Sequence, residues 1–225
     1  MSARHVDENP APRCGAGTRD LGSIVLCVPE GGKPRLVFGP GEELLTAAVL
    51  CPFGEVEVRA YAAPKGSRAD LGGQWRPMLT DLAESLRAQG LRLFFQDGPW
   101  GRELIAVGNG VFRTLIGRDG DRWTLVVSAL GPNQTAARLV GFARAVFEGS
   151  QVRRGPQPHP AGALLPLRVA DPCAFGEFER VDIMPESEPE PFRPRFPDPS
   201  APGANGSAMQ RLSALRRSAR SCPSA

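Results

Sequence analysis

Residues 123–130, Trp-Thr-Leu-Val-Val-Ser-Ala-Leu, are apolar in both phases of an extended strand. Trp123, Leu125, Val127 and Ala129 fall on one side; Val126 and Leu130 fall on the other, beside Thr124 and Ser128. Side chains alternate across a strand, so such a segment belongs inside a sheet covered on both faces. Residues 55–62 follow a different rule: Val56, Val58 and Ala60 share one phase, and Glu55, Glu57, Arg59 and Tyr61 share the other. That alternation predicts an antiparallel strand with one wet face. Further strands are predicted at residues 24–28, 35–38, 44–51, 91–96, 102–107 and 111–116, with a short one at 151–153. Turns rich in Gly, Pro and Asn join most of them.

Two stretches change to the helical period. Met78, Leu79, Leu82, Ala83 and Leu86 recur every three to four residues from about Trp75, with Pro77 in the first turn and Gly90 as the left-handed stop. Residues 134–148 carry a second stripe, Ala136, Leu139, Val140, Ala143, Val146 and Phe147, with Asn133 placed as its N-cap. The fold class that follows is α+β: a mostly antiparallel sheet with two main helices packed on it and the 122–130 strand deep inside. The apolar residues of 164–169 are expected to pack back on this domain.

Composition sets the limits of the domain. A chain of 225 residues with 41% hydrophobic side chains supports one core, over residues 20–172. Residues 1–19 are polar, with Pro10, Pro12, Gly15 and Gly17, and predict a disordered leader rather than a secretory signal. Residues 173–225 are proline-rich, acidic to about residue 190 and basic after it, and predict a disordered tail. Within that tail, residues 209–220 place Met209, Leu212 and Leu215 at helical spacing among arginines, a pattern suited to weak membrane-surface contact. The net charge of +3 is too small and too dispersed to imply a nucleic-acid partner. Five scattered cysteines lack C-x-x-C spacing, so Cys27 and Cys51 are expected as buried free thiols on strands. With no run long enough for a transmembrane segment, the expectation is a soluble, cytoplasmic protein.

An ordered set of short strings resembles a known family. These are Ala62-Ala63-Pro64-Lys65, Trp75, Gly98-Pro99-Trp100-Gly101-Arg102-Glu103-Leu104, Gly120-Asp121-Arg122-Trp123, Val152-Arg153-Arg154-Gly155 and Leu164-Leu165-Pro166-Leu167-Arg168. Together they resemble the actinobacterial domain of unknown function 3710 family over about residues 21–171. The resemblance implies kinship and no activity. The strand–helix–strand ending is also similar, by analogy of fold, to Mog1/PsbP-like binding and assembly proteins.

Candidate chemistry is sparse. His5 lies in the leader and His159 in a proline-rich linker, so no serine or cysteine has an evident base, and no catalytic set is assigned. Asp119 and Asp121 read as turn residues, and Glu55 and Glu57 as a wet strand face, so no metal site and no cofactor are expected. The residues best suited to recognition are Asp97, Trp100, Arg102 and Glu103 around one loop, with Arg122 and Trp123 on a nearby strand. Aromatic anchors and an arginine fork suit a protein partner. The same residues suit a structural hairpin whose Trp covers the core edge. The leading expectation is a binding or assembly module acting through this cluster. The alternative is a small anionic-ligand binder or enzyme with a pocket between sheet and helix, Arg102 and Arg122 holding the anion.

Overall fold

The computed structural model describes residues 17–65, 73–169 and 175–183. In chain order these form β1 (Thr18–Asp20), β2 (Ile24–Cys27), β3 (Lys33–Phe38), β4 (Leu44–Cys51), β5 (Gly54–Ala62) and α1 (Trp75–Ala88). Next come β6 (Arg92–Gly98), β7 (Gly101–Gly108), β8 (Val111–Gly120), β9 (Trp123–Pro132), α2 (Ala136–Gly149), β10 (Gln151–Val152) and β11 (Glu179–Asp182). β9 pairs antiparallel with β5 along one side and β8 along the other. The two-sided apolar strand therefore sits inside an eight-stranded sheet ordered β11-β3-β4-β5-β9-β8-β7-β6. Every pairing in it is antiparallel except that of β11 with β3.

The two phases of β9 face two different cores. Trp123, Leu125, Val127 and Ala129 pack with Val56, Val58 and Ala60 of β5 against Leu139, Ala143, Val146 and Phe147 of α2. Leu21, Ile24 and Leu26 join that cluster from around β2, which pairs with β1 and β10 in a separate three-stranded sheet. On the opposite face, Val126 meets Leu104, Ala106 and Leu115 beneath Trp75, Leu79, Ala83 and Leu86 of α1. α1 lies over β6, β7 and β8, while the α1-side residues of β5 stay polar: Arg59 pairs with Glu57, and Arg35 bridges Glu55 and Glu179.

The fold departs from the sequence expectations at several points. Composition assigns residues 17–19 to the leader, yet Thr18–Asp20 pair with β2 as β1. It assigns residues 175–183 to the tail, yet Phe175 is buried edge-on to Phe178 and β11 pairs with β3. Two phenylalanines and a bridge to Arg35 tie down a segment whose average polarity suggests otherwise. Asn133 opens a short 3-10 turn (Asn133–Thr135) and its side chain caps nothing; Thr135 Oγ1 instead donates to the Phe53 carbonyl at 3.1 Å. Cys27 is disulfide-bonded rather than a free thiol, whereas Cys51 is free and donates its Sγ–H to the Gly54 carbonyl. Leu165 and Leu167 pack back on the core as their pattern predicts. The expectations for residues 1–16, 66–72, 170–174 and 184–225, including the membrane-facing helix, lie outside the described residues. No helix among the described residues is long and apolar enough to cross a membrane.

Candidate functional site

At one end of the large sheet, the tip of the β6–β7 hairpin, the β8–β9 turn and the start of α1 meet. Pairing of β7 with β8 begins only at Leu104 with Leu115, so residues 101–103 have no ladder partner in residues 116–119. Trp75 fills the opening. Its indole lies where a side chain on Gly117 would stand, 2.4 Å from an idealised Cβ, and its Nε1–H donates to the Arg102 carbonyl at 2.9 Å. A carbonyl that the sheet leaves unpaired is satisfied by the helix, as a buried backbone acceptor requires.

Asp119 holds the helix in place. Its carboxylate accepts from the backbone N–H of Gln74 at 3.0 Å and of Trp75 at 2.9 Å, and from Thr124 Oγ1 at 2.7 Å. Neither Gln74 nor any other local side chain caps α1. Asp119 thus performs the N-cap function from a strand 44 residues away, placing negative charge at the positive end of the helix dipole. The aspartate expected as a turn residue is the element that docks α1.

Between these parts lies a cleft of about 460 Å³. Trp75, Pro77, Leu79 and Trp100 form its apolar walls, and Arg76, Arg102 and Arg118 bring three guanidinium groups to it. The carboxylates that reach it are Asp97, which is exposed, and Asp119, whose oxygens are engaged with α1. Arg102 stacks on Phe95, its Cζ 4.8 Å from the ring centroid.

Arg118 differs from the other two. It follows Phe112, Thr114 and Ile116 in the inward phase of β8, where a charged side chain faces the α2 core. Its Cζ lies 5.5 Å from the Phe147 centroid and 5.7 Å from that of Trp123. Nε and Nη2 are buried without an acceptor, and no carboxylate pairs with the group among the described residues. Burial pushes its pKa down from the ordinary arginine range. Among the described residues the ring faces are what ease the positive charge, and the side chain opens onto the cleft.

The six residues singled out from the sequence divide into three groups. Asp97, Trp100 and Arg102 come together on the cleft wall. Glu103 and Trp123 are buried, 1% and 7% exposed, and support it from behind. Glu103 Oε2 accepts from Arg144 Nη2 and from Gln96 Nε2, both at 2.7 Å, while Oε1 lies against Gly98 without a partner. Trp100 is half-buried, its ring 4.8 Å from that of Phe147 at 55°. Arg122 stands apart at the β8–β9 turn with φ 69°, its carbonyl accepting from Ala63 N–H. Its charge acts on Arg154, whose pKa falls through burial first and the charge of Arg122 second. It does not join Arg102 at a common site. Sequence reasoning missed Trp75, Arg76, Arg118 and Asp119; an arginine in the apolar phase of a strand was the available signal for Arg118.

A second groove, about 250 Å³, runs between α1 and the wet strands, past Glu57, Arg59, Tyr61, Ser85, Arg113 and Ser128. Its Arg59 is neutralised by Glu57 within the protein, while its Arg113 also keeps a buried Nε without an acceptor among the described residues. The larger cleft, with its uncompensated Arg118, is the stronger candidate.

No curated protein matches this chain. A solved structure from Bacteroides thetaiotaomicron VPI-5482 is similar at 15% identity and a TM-score of 0.39, over 64% of this chain and 51% of that one; the match thus spans about half of that protein. The family model described as Protein of unknown function (DUF3710) matches residues 6–174, about three-quarters of the chain and nearly all of the elements above. The chain belongs to that family.

Proposed function

We propose that this domain is a binding module whose cleft receives an acidic group from a protein partner, Arg118 meeting the carboxylate and Trp75 and Trp100 packing on its apolar surroundings. One observation carries the reading: Arg118 is a half-buried cation, without a carboxylate among the described residues, at the wall of an open apolar cleft. A guanidinium in partly desolvated surroundings binds a carboxylate more strongly than one in water, because both are removed from competing solvent. Arg76 and Arg102 extend the positive field at the mouth and favour encounter with negative segments. The lining groups suit the holding of an acidic group: tryptophans, a proline and a leucine give apolar contact and three arginines give positive charge, beside Asp97 and Asp119. In this proposal the partner is met in the cytoplasm.

The test uses two probes, a short peptide of alternating glutamate and phenylalanine and free glutarate, followed by tryptophan fluorescence. The peptide should bind, and Arg118→Gln should weaken it by about tenfold or more, the loss of a charge-assisted hydrogen bond worth about 1.5–3 kcal/mol. Trp100→Ala should weaken it as well. Glutarate binding as tightly as the peptide would favour the alternative, a small anionic ligand, which the limited size of the cleft also suits. Binding of neither probe, or an Arg118→Gln variant that binds the peptide as the wild type does, would refute both.

A further inference from the structure

The β6 edge of the large sheet is unprotected in a way its other edge is not. β6 pairs with β7 in unbroken register from Arg92 with Val107 to Gly98 with Gly101, and among the described residues no strand follows it. Natural edges are usually blunted by a proline, a bulge, an inward charge or a lysine. β6 (Arg-Leu-Phe-Phe-Gln-Asp-Gly) has none of these in its middle. Phe94 is 53% exposed and Phe95 39%, with Arg102 laid over the latter. The opposite edge, β11, is four residues long and charged at three of them.

The turn fixes which backbone groups are free. Gly98 and Gly101 flank the two-residue loop Pro99-Trp100 and must be a hydrogen-bonded pair, since no tighter ladder can close around them. Alternation then turns the N–H and C=O of Gln96, Phe94 and Arg92 toward β7. Those of Leu93 and Phe95 point outward with no strand to meet them.

We propose that this edge pairs with the β6 edge of a second copy of the chain, antiparallel about a two-fold axis through Phe94. A two-fold perpendicular to the sheet keeps each face continuous, so only registers that pair residues of the same face are allowed. The register centred on Phe94 sets Phe94 against its own copy on the α2 side and Leu93 against the partner's Phe95, twice, on the α1 side. Leu93 and Phe95 then exchange the free backbone hydrogen bonds, and Arg92 faces Gln96, so no like charges oppose each other. The register centred on Phe95 would set Leu93 against Asp97 and leave the apolar set unmatched. The helices do not obstruct the pairing. α1 is centred near β7, and three strand spacings separate the two β7 strands, about 14 Å against the 8–10 Å of packed helices. A single seven-residue strand makes a small interface, so the dimer should dissociate on dilution. This inference is independent of the cleft: it uses the outer edge of β6, and Arg118 plays no part in it.

The test pairs sedimentation across a dilution series with amide hydrogen exchange of the full chain. The mass should rise toward that of a dimer with concentration, and the Leu93 and Phe95 amides should become protected in step, although neither has a hydrogen-bond partner among the described residues of its own chain. Phe94→Lys, a substitution at an exposed position, places two cations on the axis and should leave a monomer with those amides exchanging freely. A monomeric mass at every concentration would overturn the proposal. So would a dimer that survives Phe94→Lys with Leu93 and Phe95 unprotected, since that dimer would use another surface.

Discussion

Arg35 and Arg118 belong to the same sheet and are treated in opposite ways. Arg35 reaches Glu179 on one neighbouring strand, 2.7 Å from Nη2, and Glu55 across the wet face, 3.0 Å from Nη1. The hydrogen bond that Arg35 donates to Glu179, joined by the charges of both carboxylates, outweighs burial and raises its pKa. Arg118 has ring faces, burial and no carboxylate among the described residues, and its pKa is lowered. The sign of each shift states what the fold does with the charge. A base whose pKa rises on folding is better accommodated, charged, in the native state than in the unfolded chain; one whose pKa falls is worse accommodated. Arginine stays protonated at any pH the fold would meet, so the contrast is one of stability rather than of titration. Arg35 ties β11 to the sheet. Arg118 is held against the preference of the fold, which fits the binding role proposed for it.

Four substitutions would break or sharpen that contrast. The largest effect is expected at Asp119, which follows Arg118 in β8: Asp119→Ala strands two backbone N–H groups and the Thr124 hydroxyl. It should cost about 2–3 kcal/mol in urea unfolding, from the lost cap and the buried donors left behind. Next is Gly117→Ala, whose added methyl meets the Trp75 indole. Overpacking there should cost about 1–3 kcal/mol and shift the Trp75 fluorescence. Third is Glu179→Gln, which removes one partner of Arg35; as that carboxylate is 36% exposed, the loss should stay below about 1 kcal/mol and fade with added salt. The smallest is Arg118→Met, which keeps the bulk and deletes the charge. Its melting temperature should equal or slightly exceed that of the wild type, a change within about 1 kcal/mol. A marked destabilisation by Arg118→Met would erase the distinction between the two arginines.

The contrast also marks what the sequence discloses. The faces of β9, the wet phase of β5 and both helices follow from periodicity, because each depends on residues two to four positions apart. β1 and β11 escape it, being three and four residues long with mixed polarity; their order comes from β2, from Arg35 and from Phe175, all distant in the chain. Asp119 looks like a turn residue for the same reason, since the N–H groups it accepts from lie on α1, more than forty residues away. At the site, Asp97, Trp100 and Arg102 are legible as one local string around a Gly-Pro turn. Arg118 and Trp75 reach the same cleft only through the pairing of β7 with β8 and the docking of α1.

The most direct measurement is the nitrogen-15 NMR signal of the Arg118 side-chain Nε–H, followed as the glutamate–phenylalanine peptide is added. The cleft account predicts that this signal and the Trp75 and Trp100 indole N–H signals move together and saturate, while the Arg35 signal stays still. An Arg118 signal that remains fixed while exposed arginines shift would mean that the charge serves no ligand, and the account of the cleft would be wrong.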